Sequence, residues 1–144
     1  MKKTIVVILL IFMAIVVCIY MNYKEMMVSK TEALKFNKEF EFYNKEVLLG
    51  TDITTVINKA VDNNEQYKIP KDAKGLYIAD DKNSIKIYVH MIINDETYPM
   101  EQLIQTGLSD FTSYFGEVEF KCSEIKYHEA TGKISEMTFA STQL

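Results

Sequence analysis

An uninterrupted apolar run stands near the start of the chain. From Thr4 to Met21 the sequence is TIVVILLIFMAIVVCIYM, without a charged residue, glycine or proline. Roughly 18 to 20 such residues in a helix cross a bilayer core of about 30 Å. A cleavable signal peptide is the alternative, but its apolar part usually has about 7 to 15 residues, and no small-x-small cleavage site follows this run. The pattern therefore predicts an uncleaved transmembrane anchor over residues 1–21.

The lysines around this run predict its orientation. Lys2 and Lys3 precede it, whereas Lys24 follows it next to Glu25. Because basic residues flanking a membrane span are enriched on the cytoplasmic side, we expect the amino terminus in the cytoplasm. The sequence thus predicts a single-pass protein of the cell membrane with an extracytoplasmic C-terminal domain.

After the anchor, apolar residues recur at helical spacing. They are three, four or seven positions apart and therefore share one face of a helix: Met26, Ala33, Phe36, Phe40 and Tyr43. These five residues are termed the stalk stripe. The pattern predicts an amphipathic helical stalk over residues 22–43 that continues the anchor. Phe40 and Tyr43 are expected to pack on the following domain. The part from Met26 to Ala33 is expected to lack an intramolecular partner and to contact another protein's helix or membrane lipid.

Residues 44–144 begin with a strand pattern and a helix pattern. A short strand at Glu46–Leu49 is expected to precede a helix whose apolar face comprises Ile53, Val56, Ile57, Ala60 and Val61. Thr51 or Asp52 is expected to cap the start of this helix, because a short side-chain oxygen accepts a free backbone N–H there. Asn63 and Asn64 are expected at its end, where asparagine tolerates the left-handed conformation.

Further along the chain, strand and helix patterns alternate. Leu76–Ala79 is a candidate short strand, and a turn at Asp80–Ser84 leads into Ile85–Ile93. There, apolar residues occupy every second position, which predicts a strand with one buried face. Pro99 suits the first position of a helix, and apolar residues keep helical spacing from there to a possible end at Gly116.

The last part of the chain has the pattern of a hairpin. Apolar residues alternate from Val118, change phase near Ser123, and alternate again over Ile134–Ser141. The phase change predicts a β-bulge, and Ala130–Gly132 predicts the turn. The complete order predicts an α+β fold, with a small, mostly antiparallel sheet packed with two short helices. Its expected core includes Val89, Met91, Leu103, Phe111, Phe120 and Phe139.

Gly50 raises the question of a phosphate-binding turn, because it stands between a predicted strand and a predicted helix. A P-loop has the pattern G-x-x-x-x-G-K-[ST], and a dinucleotide-binding loop has G-x-G-x-x-G. Here Gly50 is isolated, and the negative charge of Asp52 would repel phosphate. We therefore interpret Gly50 as a joint between two packed elements.

Composition narrows the possible partners. From Asn22 onward, 14 lysines face 20 carboxylates, and the chain contains neither arginine nor tryptophan. Because a basic patch supplies most of the affinity for nucleic acid, we expect no nucleic-acid partner. Cys18 lies in the predicted anchor and Cys122 in a predicted strand, so no intrachain disulfide is expected. Cys122 is expected to be a small buried apolar residue.

Candidate residues for catalysis or metal binding are few. Ser123 and Lys126 match S-x-x-K, but residues three apart in a strand point to opposite faces, and the partner motifs S-D-N and K-T-G are missing. His90 and His128 are expected at the surface. The turn at Asp80 lacks the glycine and the glutamate of an EF-hand loop. We therefore expect no catalytic, cofactor-binding or metal-binding residue, and no enzymatic activity.

Two features carry a resemblance to a known family. The layout of an apolar N-terminal helix, an amphipathic continuation and a small sheet domain resembles type IV pilins and pseudopilins. The segment Phe36–Asn64, FNKEFEFYNKEVLLGTDITTVINKAVDNN, is similar to pilin-like membrane-anchored proteins of Firmicutes. In that pattern an aromatic-rich helix end precedes glycine and a short apolar helix that ends in asparagine. No glycine precedes the apolar run here, and the first glutamate is Glu25, so the resemblance does not include the pilin leader.

The resemblance implies a non-enzymatic envelope protein, an accessory subunit of a pilus- or secretion-type assembly. Its expected partners are membrane lipid and other envelope or assembly proteins, with the stalk stripe as the contact surface. An extracytoplasmic ligand-binding or sensor-like domain remains the alternative. A pocket would favour this alternative, whereas an exposed apolar stripe on the long helix would favour the assembly subunit.

Overall fold

The computed structural model describes residues 2–44 and 47–142, with only the backbone of Lys2 and Lys3. It divides into two compact units, one up to Glu32 and the other from Ala33 onward. Helix α1 comprises Lys2–Phe40, so its last residues belong to the second unit. The boundary between the units thus falls inside the predicted stalk.

The first unit contains only the part of helix α1 that precedes Ala33. Every side chain from Thr4 to Val28 is exposed, including the whole apolar run. This part of the helix is long and apolar enough to cross a membrane, as predicted from the sequence. Its orientation stays a prediction.

The second unit begins with the end of α1 and a 3₁₀ turn at Glu41–Tyr43. Three helices follow in the order of the chain: α2 at Gly50–Gln66, α3 at Met100–Thr106 and α4 at Leu108–Phe115. The strands are β1 at Leu48–Leu49, β2 at Lys86–Met91, β3 at Glu96–Pro99, β4 at Glu119–Tyr127 and β5 at Ile134–Ser141.

These strands form one five-stranded sheet in the order β1-β4-β5-β2-β3. Strands β2 and β5 are parallel, and the other three neighbouring pairs are antiparallel. Phe139 in the middle of β5 lies opposite Val89 of β2 and Cys122 of β4. The predicted α+β class with a mostly antiparallel sheet is therefore confirmed.

The core lies on one face of the sheet. Of the predicted core residues, five are buried and only Leu103 remains partly exposed; the five are Val89, Met91, Phe111, Phe120 and Phe139. Helix α2 covers them with the apolar face predicted from its spacing, and four apolar residues of that face are fully buried: Ile53, Val56, Ile57 and Ala60. The opposite face of the sheet carries polar side chains, since Lys86, Tyr88 and His90 alternate with the buried residues of β2.

The region between β2 and β4 differs from the prediction. A four-residue strand, β3, pairs with β2 where only a connection was expected. The single helix expected after Pro99 is two helices, because Gly107 has a φ of 111° and interrupts it. That value lies outside the helical range, and glycine adopts it without the steric cost of a Cβ.

Three boundaries nearer the start of the domain also need correction. Leu76–Ala79 is not a strand and contributes only an isolated bridge between Lys71 and Tyr77. Strand β1 is only Leu48–Leu49, while Glu46 lies outside the described residues. Asp52 is not the N-cap of α2, since it is the third helical residue and its carboxylate accepts the Leu49 amide proton at 2.9 Å.

Other local predictions are confirmed. A β-bulge between Cys122 and Glu124 accounts for the change of phase near Ser123. Gly132, with a φ of 71°, completes the turn before β5. Gly50 is a packing joint, because a Cβ there would lie 1.9 Å from the carbonyl oxygen of Phe115 at the end of α4.

Candidate functional site

The stalk stripe does not form one exposed surface. Ala33 is only 6% exposed, Phe40 and Tyr43 are buried, and Phe36 is half-buried, all within the second unit. The packing of Phe40 and Tyr43 on the domain is thus confirmed. The expectation that Ala33 lacks an intramolecular partner is wrong, because Ala33 is already covered. Met26, in the first unit, is exposed.

Two polar residues, Asn37 and Lys133, attach the end of α1 to the domain. The Asn37 side chain donates to the carbonyl of Gly132 at 2.9 Å and accepts from the amide of Ile134 at 2.8 Å. Between them, Lys133 is 6% exposed, and its ammonium lies 5.8 Å from the centre of the Phe36 ring. The same ammonium is 5.0 Å from the centre of the Tyr67 ring. Both rings therefore lie within the distance at which a cation is attracted to an aromatic face. The turn before β5 therefore orders the end of α1.

A groove lies at the opposite end of the sheet from this attachment. Strands β2 and β5 are parallel, so Met91 at the end of β2 is remote from Ile134 at the start of β5. The groove has a volume of about 330 Å³. The β2–β3 hairpin and helices α3 and α4 form its walls, and this feature is termed the distal groove. Its lining residues are Met91, Ile93, Asn94, Tyr98, Gln102, Leu103, Thr106, Gly107, Asp110, Phe111, Tyr114 and Phe115.

The break at Gly107 determines the shape of this groove. An unbroken helix would place Leu103 and Phe111 on one continuous face, eight residues apart. With the chain turned at Gly107, α3 and α4 instead contribute separate walls, and Phe111 packs against Phe115 with ring centres 5.4 Å apart. Sequence reasoning missed the groove. The signal that could have indicated it was a glycine within a predicted helix.

Two polar side chains of the groove, those of Asn94 and Tyr98, belong to the β2–β3 hairpin. The Tyr98 hydroxyl donates to the Glu96 carboxylate and lies 2.6 Å from Nδ2 of Asn94, which donates to it. The hydrogen bond to Glu96 raises the pKa of Tyr98. Among the described lining residues, the only charged side chain is that of Asp110. An apolar surface with one carboxylate suits binding better than bond-making chemistry.

The residues with possible catalytic chemistry have structural partners. Ser123 donates to the carbonyl of Thr138 at 3.1 Å, and Lys126 binds Glu136. Cys122 was expected to be buried but is only partly buried. This partial burial raises the pKa of Cys122, which makes its thiolate less available. Within residues 2–44 and 47–142, no group of three His, Cys, Asp or Glu side chains is placed to hold a metal ion.

The two histidines differ in their burial. His90 lies on the polar face of β2, as predicted, with Nδ1 3.1 Å from the Thr97 hydroxyl. His128 was expected at the surface, but it is buried, and its Nε2 donates to the carbonyl of Ser84 at 2.7 Å. The prediction failed because His128 follows the end of β4, where the turn before β5 folds it against the Asp80–Ser84 segment.

The turn at Asp80 is likewise structural. Its carboxylate oxygen Oδ1 accepts from the amides of Lys82, Asn83 and Ser84, at 3.2, 2.8 and 2.6 Å. Partial burial acts to raise the pKa of Asp80, but these amide donors outweigh it and lower the pKa to about 2. The Asp80 carboxylate therefore stabilises the loop in which it lies.

Comparison of the chain with models of protein families, with curated protein sequences and with solved structures gives no match. The resemblance to pilin-like proteins therefore stays a prediction.

Proposed function

We propose that this chain is a single-pass, membrane-anchored, non-enzymatic envelope protein whose extracytoplasmic domain binds other proteins. In the finer form of the proposal, it is an accessory, pilin-like subunit of a pilus- or secretion-type assembly. The observation that carries the proposal is the exposed apolar helix of the first unit, in which every side chain from Thr4 to Val28 is uncovered. Such a surface is unfavourable in water by about 25 cal/mol per Å² and favourable in lipid.

Tyrosines at the end of the apolar run support a membrane position. Tyr20 and Tyr23 are both exposed on α1, next to Lys24. Aromatic rings with a polar tip favour the boundary between lipid and water, and lysine can extend towards the headgroups. The three residues therefore suit the outer edge of an anchor that ends near Met21.

Two carboxylates with lowered pKa values have structural partners. Hydrogen bonds from Tyr77, which is buried, and from Lys71 lower the pKa of Glu65. Asp80 caps the loop in which it stands. Each perturbed carboxylate thus has a partner that explains it structurally.

Membrane fractionation of the full-length protein tests the anchor. We expect it in the membrane pellet after carbonate and high-salt washes. Ile11→Lys combined with Ile15→Lys adds two charges to the apolar run, each unfavourable by roughly 2.5 to 3.5 kcal/mol at a membrane centre. This variant should leave the pellet, while Ile11→Leu combined with Ile15→Leu should remain there.

Two further outcomes would change the proposal. A mature protein with a shortened amino terminus would show that the apolar run is a cleaved leader. Protease added to cells with a permeable wall should remove the domain, and protection of the domain would reverse the proposed orientation.

The distal groove favours a second candidate, an extracytoplasmic ligand-binding or sensor-like domain. Its volume of about 330 Å³ is at the lower end of the range of small-molecule pockets, about 300 to 1,000 Å³. Burial of Ala33, Phe40 and Tyr43 also removes most of the stalk stripe as a docking surface. Native mass spectrometry of the detergent-purified protein distinguishes the candidates, because a bound small molecule would add a defined mass that Phe111→Ala removes.

A further inference from the structure

The distal groove combines a buried floor with two strongly exposed apolar side chains. Met91 and Phe111 form buried parts of its lining. Ile93 and Tyr114 flank it and are 69% and 80% exposed. Large apolar side chains gathered at one exposed site mark binding surfaces more often than single scattered ones do. Tyrosine is also among the residues enriched at the energetic centres of interfaces.

The charges at the groove have one sign. Asp110 lines the groove, whereas Asp95 and Glu96 lie on the hairpin that forms one wall. There Asp95 is 3.6 Å from Nε2 of His90, and Glu96 accepts from the Tyr98 hydroxyl. None of the described lining residues is a lysine, and Asp110 forms no ion pair with any described residue. A complementary partner therefore presents positive charge beside its apolar side chains.

This charge pattern separates three classes of occupant. The anionic headgroups of a membrane surface are repelled by these carboxylates. A second copy of the chain presents the same acidic groove and an excess of carboxylates after Met21. A basic polypeptide segment meets neither repulsion. An open groove between two helices and a hairpin accepts the apolar face of an amphipathic helix, with anchors at i, i+3 or i+4 and i+7.

We propose that the distal groove binds a basic amphipathic helix of a partner protein. Apolar side chains of that helix pack on Ile93, Phe111 and Tyr114, and a lysine or arginine beside them faces Asp110. This inference deepens the proposed function, on which it rests, by assigning the surface and the chemistry of the partner.

Site-directed photocrosslinking tests the occupant with two peptide probes. Both have the same leucine face, and their polar positions are all lysine in one, LKKLLKLLKKLLKL, and all glutamate in the other. The full-length protein is placed in nanodiscs of zwitterionic lipid, with benzoylphenylalanine at position 114 or, as a control, at position 127. Tyr127 is also exposed, but it lies at the end of β4, away from the groove. We expect the lysine peptide to crosslink at 114 at least tenfold more than at 127, and more than the glutamate peptide.

Substitutions inside the groove, each compared with one outside it, show which residues contribute to binding. Ile93→Ser should weaken the affinity for the lysine peptide, measured by crosslinking, by about fivefold, as for a large apolar side chain removed from an interface. Ile78→Ser is its control, since Ile78 is exposed outside the groove. Asp110→Asn should weaken the affinity for the lysine peptide by about twofold to fivefold, and the loss should be smaller at high salt. Asp81→Asn should leave this affinity unchanged.

Other outcomes overturn the inference. Equal crosslinking by the two peptides, or equal yield at both positions, would exclude a basic helix at this groove. Crosslinked dimers of the chain would assign the groove to a second copy, and crosslinks to lipid in anionic nanodiscs would assign it to the membrane. Carbonate fractionation is independent of the peptides, so failure of the groove and failure of the anchor are distinguishable.

Discussion

The side-chain amide of Asn64 binds both backbone polar groups of Ile85. Its Nδ2 donates to the Ile85 carbonyl at 2.8 Å, and its Oδ1 accepts from the Ile85 amide at 2.9 Å. Asn64 is 0% exposed in helix α2, and Ile85 is the residue immediately before β2. The side chain thus replaces the partner that another strand would provide, and it joins the helix to the sheet.

Asn64→Leu should destabilise the domain strongly. Leucine has a similar size but cannot form either hydrogen bond, and each buried backbone group left without a partner is unfavourable by about 1 to 3 kcal/mol. Thermal unfolding of the full-length protein in detergent, followed by near-ultraviolet circular dichroism, measures the effect. Asp62→Leu, on an exposed position of the same helix, is the control and should leave the midpoint nearly unchanged.

Asn64 also illustrates what the sequence does not specify. Asparagine near the end of a helix pattern suggests a left-handed end, but α2 continues to Gln66, and the left-handed residue is Lys68, with a φ of 53°. The Asn64 side-chain amide instead hydrogen-bonds the backbone of Ile85, 21 residues later in the chain. Local spacing contains no information about such a contact. The alternation in Ile85–Ile93, in contrast, predicted β2 as far as Met91, because every second residue up to that point is buried. The strand ends at Met91, and Ile93, which the alternation placed on the buried face, is exposed.

The distal groove, too, could not be predicted from local sequence spacing. Its walls come from β2, β3, α3 and α4, which only the tertiary fold brings together. Helical spacing selected Phe111, which is buried, but it cannot distinguish a floor residue from a wall residue such as the exposed Tyr114. For the stalk stripe, spacing predicted that Ala33, Phe36 and Phe40 share one face of α1, whereas Tyr43 lies in the 3₁₀ turn that follows the helix. Whether the domain or a partner covers that face depends on the packing of the whole unit.

Gly50→Ala should be more damaging than an alanine at other glycines of the domain. The new Cβ would lie 1.9 Å from the Phe115 carbonyl oxygen and 3.1 Å from the Gly116 Cα, so helices α2 and α4 must separate. Overpacking typically costs about 1 to 3 kcal/mol, and here the obstructing atoms are backbone, which favours the upper end. Urea unfolding should show a lower midpoint.

Gly132→Asn is the control for that experiment. A Cβ at this position has no atom within 4 Å, and asparagine tolerates the φ of 71° better than most residues. Its midpoint should therefore stay close to that of the unchanged protein. A similar midpoint for Gly50→Ala would show that α2 and α4 do not approach as closely as described.

Asp80 should make the stability of the domain depend on pH in the acid range. Its pKa is about 2 in the folded protein, where partial burial is outweighed by three amide donors, and about 3.9 in an unfolded chain. Because the folded pKa is the lower one, the stabilisation is present above pH 4 and is lost as the pH falls from about 4 to about 2. Unfolding midpoints across this range should decrease less steeply for Asp80→Asn than for the unchanged protein. Asp81→Asn removes the same charge from an exposed neighbour and should keep the original slope.

Asn37 should control how firmly the end of α1 is attached to the sheet. Asn37→Ala removes the acceptor of the Ile134 amide proton, so hydrogen exchange at Ile134 should accelerate by roughly fivefold, equivalent to about 1 kcal/mol. Lys35→Ala changes an exposed residue of the same helix and should not affect it.

Asn37→Asp separates the two bonds of this side chain. A carboxylate still accepts from the Ile134 amide, but it cannot donate to the Gly132 carbonyl and repels that oxygen. Ile134 should therefore remain protected from hydrogen exchange, whereas protection should fall in the turn that contains Gly132. Exchange measured residue by residue on the full-length protein distinguishes the two effects. Equal acceleration at both positions in Asn37→Asp would mean that the contacts open together, and that the end of α1 leaves the sheet as one unit.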